Sequence, residues 1–280
     1  MIDVHTHPVL VEEIMEKDDQ MLRVVREVFG LGNRAQPLET FLLHMEDAGI
    51  DVSVIHPIDC TSTRGDKIYS NEQIAELVDM AGGKFIGFAS VDPHSDRAGE
   101  DLEAAVRDLG LKGLKLAPSI QEFSPDDEKL FPLYERALDL GIPIMMHSGV
   151  SFEPNTRIRQ CHPMLLEPVA AKYPDLRICI AHFGWPWVEE TAALLLKYPN
   201  LYADTSCLYF DTPQEFIQFT FNGQIPTTWI ERSLRNQVMF GSNFPRIEMG
   251  KMVQAVMDLG FTDGAKSLIF EGNAERFIGI

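Results

Sequence analysis

Long apolar runs are missing from this sequence of 280 residues. The most extended, such as Ile142 to Met146, fall far short of the roughly 18 consecutive apolar residues that a membrane-spanning helix needs. Basic residues are scarce: 24 Lys and Arg stand against 42 Asp and Glu, a formal charge of −18, which disfavours nucleic acid and anionic membranes as partners. Cysteine is scarce too. Cys60, Cys161, Cys179 and Cys207 show no C-x-x-C spacing, which tells against a disulfide framework or a thiolate zinc site and suits reduced thiols in packing positions. Met1-Ile2-Asp3 enters a strand-like segment with neither the basic start nor the apolar stretch of a secretory signal, so a cytoplasmic protein is expected. No Gly-rich phosphate turn of the G-x-G-x-x-G or Walker A kind occurs, and no low-complexity stretch, linker or internal repeat interrupts the chain.

What is present is a globular composition, 45% hydrophobic and 24% charged, arranged as strand-like runs alternating with helical patterns. Eight segments read as strands: Ile2 to His5, Val52 to His56, Phe85 to Ser90, Gly113 to Leu116, Ile142 to His147, Arg177 to His182, Leu201 to Asp204 and Val238 to Asn243. Between them apolar residues recur at helical spacing, as in Leu38, Phe41, Leu42, Met45 and in Ile74, Leu77, Val78, Ala81. Ser70-x-x-Gln73 has capping-box spacing, Pro37 and Pro132 suit first-turn positions, and Gly49, Gly110 and Gly141 suit helix ends. Strict alternation predicts a parallel sheet, and eight units predict an α/β fold of the (β/α)8 TIM barrel type in one domain, 1–280. Residues 9–33 read as a partly helical insertion covering the barrel mouth.

Barrel active sites sit at the C-terminal ends of the strands, so polar residues closing apolar strands are the informative ones. Here they are His5, His56, Ser90, Lys115, His147, His182, Asp204 and Asn243. His5-Thr-His7 adds a pair whose period of two puts both imidazoles on one side of a strand. With 8 histidines in the chain, H-x-H arises by chance about 0.2 times. Its position, together with His147 and His182 on the same rim, makes it a candidate for holding zinc, manganese or iron with a coordination position left open. His44 and His94 are expected at the surface.

Asp-Val-His5-Thr-His7, Met-Met-His147-Ser-Gly, Ala-His182-Phe-Gly-Trp, Leu-Tyr-Ala-Asp204-Thr-Ser, Phe-Gly-Ser-Asn243-Phe-Pro and the closing Gly272-Asn-Ala-Glu-Arg-Phe-Ile-Gly together resemble the amidohydrolase superfamily. Within it the resemblance is to the branch of aminocarboxymuconate-semialdehyde decarboxylase, γ-resorcylate decarboxylase and related dicarboxylate lactonases and hydrolases. It implies one divalent metal, zinc first among the candidates, held through His5, His7 and His147, with His182 catalytic beside it. The departure is Asn243, where the family pattern has aspartate: an amide offers a carbonyl oxygen but cannot act as a base. A natural variant relying on His182, a laboratory substitution and a binding protein without turnover are all compatible with it. In this branch Lys115 is expected to bind a substrate carboxylate or to pair with Asp204.

Segments following strands 2, 5 and 8 carry Arg64 and Lys67, Arg157 and Arg159, and Arg246. Such a cluster in so acidic a chain points to an anionic substrate, with Lys115, Arg157, Arg159, Arg246 and Asp204 as its expected binding residues; the resemblance implies His182 and Asn243 as the catalytic ones. The expected activity is hydrolysis of a small carboxylate-bearing lactone, ester or amide, with non-oxidative decarboxylation as the alternative. A homodimer is left open.

Overall fold

The computed structural model describes residues 1–9, 11–15, 18–29, 34–153 and 155–280. The strands foreseen from the sequence are present, six of them shorter than read, with β1 one residue longer and β7 as read: β1 (Ile2–Thr6), β2 (Val52–Ile55), β3 (Phe85–Gly87), β4 (Leu114–Leu116), β5 (Ile144–Met146), β6 (Ile178–Ile180), β7 (Leu201–Asp204) and β8 (Val238–Met239). All their pairings are parallel: β1 to β3 make one ladder and β4 to β8 a second. The ladders join at both seams. At one, Ala89 bridges Leu114 and the Lys115 N–H reaches the Ala89 carbonyl at 2.7 Å. At the other, Val4 N–H donates to Phe240 O at 3.0 Å, Asn243 N–H to His5 O at 2.9 Å and His7 N–H to Phe244 O at 2.8 Å. The result is a closed (β/α)8 barrel.

Two apolar layers follow from the strand period. One cluster, including Val4, Val54, Phe88, Met145, Cys179, Tyr202 and Met239, fills the barrel with Ala274 and Phe277 of the last helix, Asn273–Ile278. The larger one lies between strands and outer helices. The helix Asn71–Met80 starts with the foreseen capping box, Ser70 and Gln73 each accepting from the other's backbone N–H. Helix Leu38–Ala48 begins one residue later than its proline suggested, with Pro37 outside the first turn at the cap position.

The hairpin Ile58–Cys60 with Asp66–Ile68 was not foreseen; its strands are short and its turn is the single helical turn Thr61–Arg64. Within 9–33 the structure has helices Glu12–Met15 and Asp19–Phe29, while residues 10, 16, 17 and 30–33 of the expected cover lie outside the described residues. Ile14, Met15, Met21, Val24 and Val25 are buried in the larger cluster. No helix among the described residues is long and apolar enough to cross a membrane.

Candidate metal centre

The H-x-H segment lies where the register of β1 slips, between Asp3 and Thr6. Asp3 Oδ1 accepts the N–H groups of His5 (3.1 Å) and Ser242 (3.0 Å), so one buried carboxyl ties this segment to the loop after β8. Burial pushes the Asp3 carboxyl up to about 7. His5 Nδ1 lies 2.8 Å from Asp204 Oδ2, and Asp204 Oδ1 accepts from the backbone of His182 (2.9 Å) and Ser206 (3.0 Å) and from the Ser206 hydroxyl. A carboxylate so placed fixes the proton of His5 on Nδ1 and leaves Nε2 as the lone-pair nitrogen, which faces Lys115 Nζ at 3.3 Å. His7 Nδ1 is similarly committed, 3.1 Å from the His56 carbonyl.

His147 and His182 leave β5 and β6 in different ways. The His147 N–H still pairs with Leu116 O at 2.9 Å, so the ring keeps a strand-like direction, and its buried Nε2 has no hydrogen-bond partner among the described residues. His182 and Phe183 turn into the left-handed region, with φ of 57° and 47°, a strained backbone for side chains with a Cβ. That turn sets His182 Nδ1 2.7 Å from Ser206 Oγ. Ring centroids are 5.2 Å apart for His5 and His7, 4.6 Å for His5 and His182, and 5.0 Å for His147 and His182.

Burial dominates the electrostatics. It pushes His7 and His147 down to about 3 and His5 and His182 well below the ordinary imidazole range, so all four rings are neutral and carry a lone pair. It also pushes the Lys115 amine down to about 8, while Asp204 pulls it back up. Lys115 pairs in register with Met145, next to Cys179 and Tyr202, and therefore shares their inward face. A narrow pocket of about 40 Å³ opens above this layer, lined by His7, Lys115, His147, Glu153, His182, Asn243 and Arg246 with Ile58, Ala117, Ile120 and Leu208. A cleft of about 840 Å³ adjoins it, sharing His7 and Arg246 as wall residues. His44, expected at the surface, is half-buried against Phe244 and lines that cleft.

The structure thus brings His7, Lys115, His147, His182, Asn243 and Arg246 to one pocket, with His5 behind Lys115. Two expectations need correction. Arg157 and Arg159 are exposed and absent from the pocket wall, because Arg157 caps and Arg159 sits within a 3-10 turn, Ile158–Cys161, that is anchored by the buried Cys161. Asp204, expected to bind substrate, is fully buried behind His5 and acts on that ring and on the His182 backbone. Among the described residues, metal-ligating atoms of His5, His182 and Asp204 lie within 4.8 Å of one another. The hydrogen bond between His5 and Asp204 accounts for that closeness, and it orients His5 as an outer carboxylate orients a metal-ligating imidazole.

Neutral imidazoles with committed Nδ1 atoms on His5 and His7, and the orphaned Nε2 of His147, fit a divalent ion. Asn243 spends its Nδ2 on Cys207 O at 2.8 Å and so has only a carbonyl oxygen to offer. Sequence reasoning missed Glu153, Ser206 and Asp3. For the last two there was a signal, since each stands two residues from a polar strand-end residue; Glu153, in a loop, had none.

The amidohydrolase family profile matches residues 2–280. A 2-amino-3-carboxymuconate-6-semialdehyde decarboxylase from Dictyostelium discoideum is 22% identical over 242 residues, 76% of this chain and 66% of that protein, just under two thirds of the relative's length. Among solved structures, a TIM-barrel protein from Bordetella bronchiseptica is similar over 100% of this chain and 98% of its own, with TM-score 0.76 and 23% identity. A candidate 2-pyrone-4,6-dicarboxylic acid hydrolase from Acinetobacter baumannii with citric acid bound covers 100% and 99% (TM-score 0.67, 15% identity). A 5-carboxyvanillate decarboxylase from Novosphingobium aromaticivorans, solved as a mutant with bound manganese, covers 100% and 97% (TM-score 0.69, 17% identity). At these identities the solved structures speak for the fold, and the whole-length profile match for the family: this chain belongs to the amidohydrolase family of enzymes.

Proposed function

We propose that this protein is a metal-dependent hydrolase of a small carboxylate-bearing lactone, ester or amide. The observation that carries the reading is the placement of two cationic side chains, Lys115 and Arg246, in the same narrow pocket as three imidazoles. Cations lower a barrier only where negative charge grows. In hydrolysis it grows on the carbonyl oxygen as the tetrahedral intermediate forms, so Lys115 favours that step while Arg246 is left for the substrate carboxylate. In decarboxylation the carboxylate loses its charge, and fixed cations beside it would stabilise the reactant instead.

His5, His7 and His147 would hold one divalent ion, with zinc, manganese and iron as candidates, and such an ion supplies Lewis acidity and an acidified water. Asp204 holds the His5 ring in its tautomer. His182, with Nδ1 against Ser206 Oγ, keeps its other ring nitrogen for carrying a proton to the leaving oxygen or nitrogen. The adjoining cleft has room for the body of a small substrate, and Arg246 on the shared wall would hold its carboxylate through the guanidinium fork.

Decarboxylation is the second reading, favoured by the activity named for the Dictyostelium relative. Reaction in 18O-labelled water separates the two: hydrolysis puts one label into the product carboxylate and releases no carbon dioxide. Release of carbon dioxide with solvent deuterium appearing on carbon would sink the hydrolase reading.

Arg246→Met keeps much of the apolar stem and removes the fork. Loss of one charge-assisted pair should raise KM about 10- to 100-fold with a smaller change in kcat. Arg157→Met, at an exposed position, should leave both within about twofold. Equal effects at the two positions would remove Arg246 from substrate capture.

A further inference from the structure

We infer that Glu153 supplies the carboxylate that position 243 lacks, serving as the charge-balancing and proton-accepting group of the pocket from the loop after β5. The inference rests on the hydrolase reading and assigns one of its missing parts.

Glu153 is the one carboxylate among the described residues lining the pocket, which otherwise presents Lys115, Arg246, imidazoles and the Asn243 amide. A divalent ion added to that set without a carboxylate would meet neutral imidazoles and an amide, with no anionic ligand. Asn243 cannot take a proton, and its Nδ2 is held by Cys207 O. Glu153 is also a held residue. Its Oε2 accepts from the Ser151 hydroxyl, and Ser151 Oγ lies 2.6 Å from Ser119 Oγ in the loop after β4. Both serines are buried, and Thr156 Oγ1 donates to the Glu153 carbonyl at 2.8 Å, fixing the backbone as well. One carboxylate oxygen is thereby anchored between two loops, and the other is the acceptor available to the pocket.

The step balances without any further reactant. As a water oxygen bonds to the substrate carbonyl carbon, Glu153 takes the proton that water loses. When the C–O or C–N bond breaks, the leaving oxygen or nitrogen receives a proton and the carboxylate is regenerated. Asp204, the other carboxylate nearby, is committed to His5 and to two backbone N–H groups and does not line the pocket.

The test uses zinc alone as the first probe, by competition with a fluorescent chelator on the metal-stripped full chain. Glu153→Gln should weaken zinc binding by about tenfold or more, the size of effect that a neighbouring anion has on a metal site. The double variant Glu153→Gln with Asn243→Asp, which returns a carboxylate from the β8 side, should recover most of it, and Glu153→Asp should lose little. A second probe, mono-para-nitrophenyl glutarate, reads the reaction: Glu153→Ala should lower kcat with KM little changed, and added formate should restore part of the rate. Zinc affinity unchanged in Glu153→Gln, or no recovery in the double variant while circular dichroism shows both folded, overturns the assignment. The hydrolase reading fails separately, by the absence of 18O from the product of wild-type protein that has bound zinc.

Discussion

Cooperative unfolding is expected as the pH falls from 6 towards 4, well above the range in which ordinary surface carboxylates titrate. His5, His7, His56 and His182 are buried, His147 is half-buried, and all five are held below the imidazole value of 6.5. A folded chain that cannot take up these protons loses ground to an unfolded chain that can, so stability is full above about 6.5 and declines with falling pH until the folded values are reached. For His7 and His147, those values are about 3. Each unit of pH in that window costs about 1.4 kcal/mol per ring, or about 5 kcal/mol at pH 4.5 from these two rings together.

Asp3 acts with the opposite sign. Its carboxyl is raised to about 7, so from there down towards 4 the folded chain holds a proton that the unfolded chain releases. At pH 4.5 this returns about 3 kcal/mol. Set against Asp3, His7 and His147 leave a net loss of about 2 kcal/mol at pH 4.5, and His5, His56 and His182, held below the imidazole value in the same direction, add to it. Far-UV circular dichroism against pH checks it. A midpoint below pH 3 would show that the rings are not held neutral by burial.

The second large effect concerns a glycine two residues beyond His147. Gly149 has a φ of 93°, and a Cβ there would run into the Trp185 carbonyl oxygen and stand 3.1 Å from the Trp185 nitrogen, both backbone atoms of the loop after β6. The Val150 N–H donates to that same carbonyl at 2.9 Å. Gly149→Ala must therefore push apart the two loops that carry His147 and His182. We expect a loss of about 3 kcal/mol or more, a Tm drop of roughly 6 to 12 °C, and at least about 100-fold in kcat/KM from displaced groups. Gly110→Ala is the control: φ is 72°, nothing lies within 4 Å of the added Cβ, and only the backbone cost of about 1 kcal/mol remains. Equal melting shifts for the two variants would mean that the contact with Trp185 does not hold the loops in place.

The barrel was legible because its strands are largely apolar and most of them close on or just before a polar residue. The same residues explain why the strands were read too long. His147 keeps one ladder bond and then serves the pocket, and His182 leaves the ladder altogether through its left-handed turn. Position in a strand determines where a side chain points, and so His5, His7, Lys115 and His147 could be placed from period and order alone. Loop residues carry no such rule. Arg157, Arg159 and Glu153 lie in one segment, yet the arginines face solvent and the glutamate lines the pocket, because a 3-10 turn and a pair of serines orient them. The role of Asp204 was hidden for another reason: its partner His5 is 199 positions away, and only closure of the barrel brings them together.

The seam between β1 and β8 also sets the order in which the site can come into being. Asp3 and Ser242, which tie its two sides, are 239 positions apart. Closing a loop of that length costs about 5 kcal/mol of chain entropy before any contact across it is gained, which makes it a late event on the folding path. Until then His5 and His7 stand on an open edge, and Asn243 and Arg246 have no pocket to line. An intermediate can hold most of the helices and still have no affinity for metal or substrate. During refolding, zinc uptake should therefore follow the slowest phase, well after the helical signal has returned.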